Sequence, residues 1–224
     1  MASYSQQQKT RREERSRIVD IVQKKSSASS QYESIQETCI EVAMEVARGG
    51  EGCLLVVGDT DSFNTHFPNF FEKSKSTIFE EGMDKVLVKL AEIDGAIVVD
   101  SKGKIKAYGA RITRQSTHRG SGTRHAAAKG VSEEKGIVSI LASEEDKMVK
   151  IFKDGNQLVE INPFTKGVDS HVSKIVRFVN SPEGALATGA AVAIPFLGIP
   201  GVIVFAGSYY VARNLLKFAG KQKA

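Results

Sequence analysis

Residues 53–58 read CLLVVG and residues 95–99 read GAIVV. Both runs are short and carry no polar side chain. A strand with one face in water alternates polar and apolar residues, so runs without alternation belong to strands covered on both faces. Between them, STIFEEGMDKVLVKLAEI (76–93) has helical spacing, with Ser76 or Thr77 as a cap and Glu80 at the reciprocal capping-box position. Further strands are expected near 95–100 and 104–110, joined by the turn DSKGK, and in GIVSILAS and MVKIFKDG; NQLVEI returns as a hairpin. Upstream, QYESIQETCIEVAMEVAR (31–48) places Ile35, Cys39, Val42 and Val46 on one helical face before GGEG ends the segment. Strands alternating with helices in this order predict an α/β fold: a mixed central β-sheet flanked by helices, with a helical N-terminal region and an apolar C-terminal tail.

The chain has 224 residues, 41% of them hydrophobic and 25% charged, enough for a full core. A net charge of +5 favours anionic partners without naming one. Cys39 and Cys53 are too few for a disulfide framework and read as reduced core thiols of a cytosolic domain. The Gln-, Arg- and Lys-rich start has no apolar segment and is not a signal peptide. It reads as a solvated basic arm with no specific nucleic-acid partner.

The C-terminal part differs. VDSHVSKIVRFVN reads as a helix, and residues 185–212 then carry no charge, with Glu183 before them and Arg213, Lys217, Lys221 and Lys223 after. At ~1.5 Å per residue the run could cross a core of roughly 30 Å once. Pro195, Gly198, Pro200 and Gly201 interrupt it, which suggests a shallow re-entrant membrane hairpin; a buried hairpin packed on the domain or on a partner chain is the other reading. The expected location is the cytoplasmic face, with this segment as a membrane attachment.

Three stretches carry chemistry. GSGTRHAAAKG (120–130) leads from small residues into a helix. Helix amino ends have unpaired N–H groups and the positive end of the dipole, and small residues let an anion approach that backbone. Gly122 and Thr123 thus form a candidate phosphate cradle; Arg124 adds a forked donor, and His125 a donor or a metal ligand. In EIDGAIVVD, Asp94 stands at the entrance to a strand, where a carboxylate can hold Mg²⁺ or Mn²⁺, and Gly95 and Ala96 leave room for a ligand. In LASEED, Ser143, Glu144 and Glu145 follow another strand. Each has a plainer reading, as a turn or a solvated acidic loop. Together they lie at element ends, where sites of α/β folds collect.

In this order and spacing the three stretches resemble the diadenylate cyclase (DAC) domain family, over roughly residues 76–162. The family's DGA motif matches Asp94-Gly95-Ala96, its GTRHR motif matches Gly122-Thr123-Arg124-His125-Ala126, and SEE matches Ser143-Glu144-Glu145. The resemblance implies condensation of two ATP into cyclic di-AMP and two pyrophosphates across a face-to-face pair of domains, hence a homo-oligomer, with Mn²⁺ or Mg²⁺. It implies Asp94 as metal ligand and activator of the attacking hydroxyl, and catalytic roles for Arg124 and His125. Gly95, Ala96, Gly122, Thr123, Arg124, His125, Ser143 and Glu145, or else Glu144, would line the ATP site. The second arginine of the motif is Ala126 here, as in archaeal-type members, and Arg111, Arg114, Arg119 or Lys129 could stand in. Ile93 occupies a position that holds a metal-binding histidine in some membrane-bound members, and His118 reads as a surface residue. A catalytically weak or inactive DAC-fold nucleotide sensor tethered to a membrane or a partner is the alternative. The expected organisation is a basic arm and helix (1–49), the cyclase domain (50–165) and a C-terminal helix with the apolar hairpin (166–224).

Overall fold

The computed structural model describes residues 29–65, 71, 76–116, 122–182, 192–195 and 199–206. The basic arm, His118, Arg119 and the residues after 206 lie outside these.

Helix α1 (residues 29–48) is followed by β1 (Cys53–Val57), the short β2 (Phe63–Asn64), α2 (Met83–Ala91), β3 (Ala96–Val99) and β4 (Ile105–Ile112). Then come α3 (Thr123–Ser132), β5 (Val138–Ala142), β6 (Val149–Lys153) and β7 (Asn156–Ile161). A 3₁₀ turn (Val168–His171) runs into α4 (Val172–Val179), and β8 (Val192–Pro195) and β9 (Val202–Ala206) complete the described elements. The strands form one nine-stranded sheet in the order β2-β4-β3-β1-β5-β6-β7-β9-β8. Only β1 and β3 pair in parallel, through the α2 crossover; the other neighbours are antiparallel. The mixed α/β sheet expected from the sequence is therefore present.

All five residues of β1 and all five of β5 are buried, as strands covered on both faces must be. One face carries Cys53, Leu55, Val57, Ile97 and Ile140 against α1, α2 and α4. The other carries Leu54, Val56, Ala96, Val98 and Leu141 against Ala127, Ala128 and Val131 of α3. The Ser139 hydroxyl donates to Ala128 O at 2.7 Å and ties α3 to the sheet centre. Ile35, Cys39, Val42 and Val46 are all buried in α1, as their spacing predicts. Both cysteines are free, and burial pushes each thiol up to about 12.

Two expectations change. Helix α2 begins five or six residues later than its capping signal suggests. Thr77 N–H does donate to Glu80 Oε1 at 3.1 Å, but Ile78 is buried and its N–H reaches Gly103 O, so the segment docks as turns on the β3–β4 connection. Gly82 then takes a left-handed conformation, with φ 81°, before the helix starts.

The membrane attachment expected of residues 185–212, and the cytoplasmic-face location drawn from it, are corrected. No helix among the described residues is long and apolar enough to cross a membrane. The described parts of the run hold two strands joined to the sheet: β9 pairs with β7 through Val159↔Val204, and β8 pairs with β9. Val202 and Val204 are buried while Ile203 and Phe205 are half-buried. Summed hydropathy misses this, because the alternation here is between apolar residues of different burial, not between apolar and charged ones.

Candidate nucleotide site

Asp94 lies on the bend between α2 and β3, immediately before the strand. Gly95 has φ +114°, and a Cβ there would sit 2.5 Å from the carbonyl carbon of Gly109 and 2.8 Å from Ala110 N. The glycine thus lets β4 approach the β3 entrance, which is a stricter demand than leaving room for a ligand. Across β1, strand β5 ends at Ala142 and delivers buried Ser143 and exposed Glu144 and Glu145 to the same end of the sheet. That end is where β1 and β3 begin, not where they finish. The site is thus opposite to the usual crevice at the carboxyl ends of parallel strands, because antiparallel β5 points its carboxyl end this way.

Helix α3 places its amino end between these two elements. Its N-cap, Gly122, makes no side-chain capping bond, and its first turn holds no acidic residue. Among the described residues no side chain caps the first-turn N–H groups, which can serve a ligand or water. Arg124 reaches over both flanks: Nη2 donates to Asp94 Oδ1 at 3.3 Å, and Nη1 lies 3.5 Å from Glu144 Oε2. The Asp94 side chain is 98% exposed, so these pairs hold orientation more than they contribute stability. Gly52 backs the guanidinium closely; a Cβ on it would meet Arg124 Nη1 at 2.8 Å.

Two adjoining clefts open here. One, of about 310 Å³, is bounded by Asp94, Gly95, Ala96, Thr123 and Arg124, together with Gly109, Arg111 and Gln115. The other, of about 280 Å³, is bounded by Asp94, Gly122, Thr123, Arg124, His125, Ser143, Glu144 and Glu145. Asp94, Thr123 and Arg124 stand on the wall between them. All ten residues singled out from the sequence therefore border one connected depression. Of the four cations considered as substitutes at the Ala126 position, Arg111 lines the first cleft; Arg114 pairs with Glu133 at 3.5 Å, and Lys129 sits in the last turn of α3.

His125 faces β6. Its Nε2 is 3.2 Å from Lys150 Nζ, and its ring packs edge-on against Phe152 with centroids 6.3 Å apart. Lys150 in turn pairs with Asp146. Burial, and then the Lys150 charge, hold His125 below the usual imidazole range, against the opposing pull of Asp146, Glu145 and Glu160. Partial burial disfavours ionisation of Asp146; hydrogen bonds from Lys150, Ser143 and the Met148 N–H outweigh it and lower that carboxyl. Lys150 and Asp146 went unnoticed in the sequence. The available signal was a lysine flanked by apolar residues in the middle of a strand-like run, Val149-Lys150-Ile151-Phe152.

Residues 40–157 match the family described as "DAC: DisA bacterial checkpoint controller nucleotide-binding". The chain belongs to the DAC family. Among curated proteins, it is 29% identical over 136 residues to a diadenylate cyclase of Methanocaldococcus jannaschii, covering 55% of this chain and 44% of that protein. It is 33% identical over 138 residues to a diadenylate cyclase of Haloferax volcanii, covering 55% and 51%. The chain thus spans about half the length of these relatives. A solved structure of a DacA double mutant from Staphylococcus aureus aligns with 65% of this chain and 94% of its own at 17% identity and a TM-score of 0.43. The DAC match contains Asp94, the α3 amino end and Ser143–Glu145, the three stretches that meet at the clefts.

Proposed function

We propose that this chain is a diadenylate cyclase, a nucleotidyltransferase that condenses two ATP into cyclic di-AMP with release of two pyrophosphates. The carrying observation is the convergence of Asp94, the uncapped amino end of α3 and Ser143–Glu145 on one depression. The names of the two archaeal relatives support the same reading. Residues 50–165 would form the catalytic unit.

In each half-reaction the 3′-hydroxyl oxygen of one ATP attacks the α-phosphorus of the other. A P–O bond forms, the bridging bond to the β-phosphate breaks, and pyrophosphate departs. Such in-line displacement depends on positioning and charge neutralisation more than on covalent help from the protein. Thr123 and the α3 N–H groups would cradle the phosphates, with Arg124 as a forked donor. Arg111 is placed to supply the charge that Ala126 lacks. Gly95 and Ala96 would form the floor of the nucleotide cleft, and Ser143 and Glu145 its far wall. Asp94 would orient the attacking hydroxyl and take up its proton, to be passed to water. Because each domain supplies one ATP, two copies must face each other.

Among the described residues no three His, Cys, Asp or Glu side chains gather as a metal cage. One exposed carboxylate at a phosphate cleft nevertheless suits Mg²⁺ or Mn²⁺, which keep several waters and share substrate phosphates. Asp94 would hold the ion, whose chemistry there is neutralisation of triphosphate charge.

The test is incubation of the purified chain with ATP and Mg²⁺ or Mn²⁺, with products read by mass spectrometry. Cyclic di-AMP, absent with Asp94→Asn, is the expected result. ATP binding without product, in both metals and over a range of protein concentrations, would replace the cyclase with a nucleotide sensor.

A further inference from the structure

Lys150 is a costly residue where it stands. It is 9% exposed, on a strand between Val149 and Ile151, and shares a strand face with Phe152 two residues on. An ammonium at such a depth needs compensation, and an apolar residue of the same volume would be as stable or more so. Two partners provide the compensation: the Asp146 carboxylate and His125 Nε2. An ammonium has three donors and no acceptor, so the hydrogen bond at 3.2 Å has one direction. Lys150 donates, Nε2 accepts, and the proton of a neutral ring is therefore on Nδ1. Free imidazole in a peptide favours the other tautomer, Nε2–H.

The ring is also fixed in position. Phe152 holds its edge at an interplanar angle of 89°, and the β6 backbone holds both Lys150 and Phe152 through its register with β5. The charged groups facing His125 are Lys150 from β6, Asp146 and Glu145 from the β5–β6 connection, and Glu160 from β7, which lies opposite Lys150 in register. Of these, only Lys150 is shown within hydrogen-bond distance of the ring.

We propose that Lys150, braced by Asp146, is a positioning residue that locks His125 in its Nδ1–H tautomer, so that the ring offers a nucleotide phosphate a neutral N–H donor. This rests on the reading of the depression as a nucleotide site. It assigns a purpose to a buried lysine, paired with an exposed carboxylate, that packing alone does not require. Recognition by a neutral donor also leaves the cleft's positive charge to Arg124 and Arg111.

The tautomer is read directly from the ring ¹⁵N shifts of the full ¹⁵N-labelled chain, with His125→Gln identifying the signal. The wild-type ring is expected with Nδ1 protonated and Nε2 bare. Lys150→Met should keep the fold, judged by a matched melt, yet move His125 toward Nε2–H and weaken ATP binding about tenfold, the loss of one good hydrogen bond to a charged group. Lys150→Arg, which retains a donor, should preserve the Nδ1–H signature. A wild-type ring protonated on Nε2, or a Lys150→Met ring unchanged in tautomer, overturns the proposal even if cyclic di-AMP is made. A wild-type chain that binds ATP without making product, but shows the expected tautomer and its loss in Lys150→Met, upholds the positioning role and refutes the cyclase reading alone.

Discussion

Replacing Gly95 with alanine tests whether the β3 entrance is held by backbone contact. At φ +114° an L side chain is strained, and its Cβ would lie 2.5 Å from the Gly109 carbonyl carbon and 2.8 Å from Ala110 N. Neither neighbour is a side chain that could swing away, so β4 has to move out by roughly 1 Å to regain ordinary contact. The conformational strain costs about 1–3 kcal/mol, and the forced separation of two packed strands costs about 1–3 kcal/mol more. For a chain of this size each kcal/mol lowers the melting temperature by about 2–4 °C, so Gly95→Ala should melt about 5–20 °C below the parent by circular dichroism. Gly122→Ala is the contrast. Its φ of −63° with ψ 168° is open to any residue, and nothing lies within 4 Å of the added methyl. It should melt within about 2 °C of the parent while losing roughly fivefold in ATP affinity, since the methyl stands at the mouth of the cradle. A Gly95→Ala chain that melts within about 2 °C of the parent would refute the argument from strand approach.

Asp94→Asn should lower cyclic product by at least about a hundredfold with an unchanged melt, because the carboxylate is exposed and supports no core contact. Equal turnover in matched samples would remove Asp94 from the chemistry. Since the folded state depresses the His125 pKa, its neutral form contributes stability that is fully present above the unfolded-state value of about 6.5 and is lost as pH falls from there through the lower folded-state pKa. Melts between about pH 7.5 and about pH 5 should therefore fall more steeply for the parent than for His125→Gln, and parallel curves would contradict the shift. Val204→Asp places a carboxylate at a position 1% exposed and paired with Val159; it should cost at least about 3 kcal/mol, or about 6–12 °C in melting temperature. An unaltered melt would show that the hairpin does not belong to the sheet.

Much of this was legible because the signals were local. Runs without polar residues announced strands covered on both sides, and 3.6-residue spacing placed Ile35 to Val46 on a buried face. The chemical stretches stood out because a helix amino end, a strand-edge carboxylate and a Gly-rich approach each leave a mark within a few residues. What was not legible depended on contacts between distant segments. The capping pair Thr77–Glu80 exists, but the docking of Ile78 on the β3–β4 turn delays the helix to Met83. Arg111 could not be singled out from the other cations until β4 lay beside β3. Lys150 looked like an ordinary strand lysine until α3 brought His125 to it. The charge-free C-terminal run carried hydropathy suited to lipid, and only its pairing with β7 shows where the described part resides.

Strand β1 lies between β3 and β5, and through it the Asp94 bend and the Ser143–Glu145 turn are held at the same end of the sheet. Its two neighbours come from segments far apart along the chain, and such pairings form late because the intervening loops must be closed first. During synthesis, the β1–β3 pair can form before β5 exists, but that pair holds Asp94 alone. The depression appears only when β5 docks on the other side and α3 closes over the join. Incompletely folded chains therefore lack the depression altogether, and if it is the nucleotide cleft proposed above, ATP binding should be gained and lost in the same step as the sheet itself.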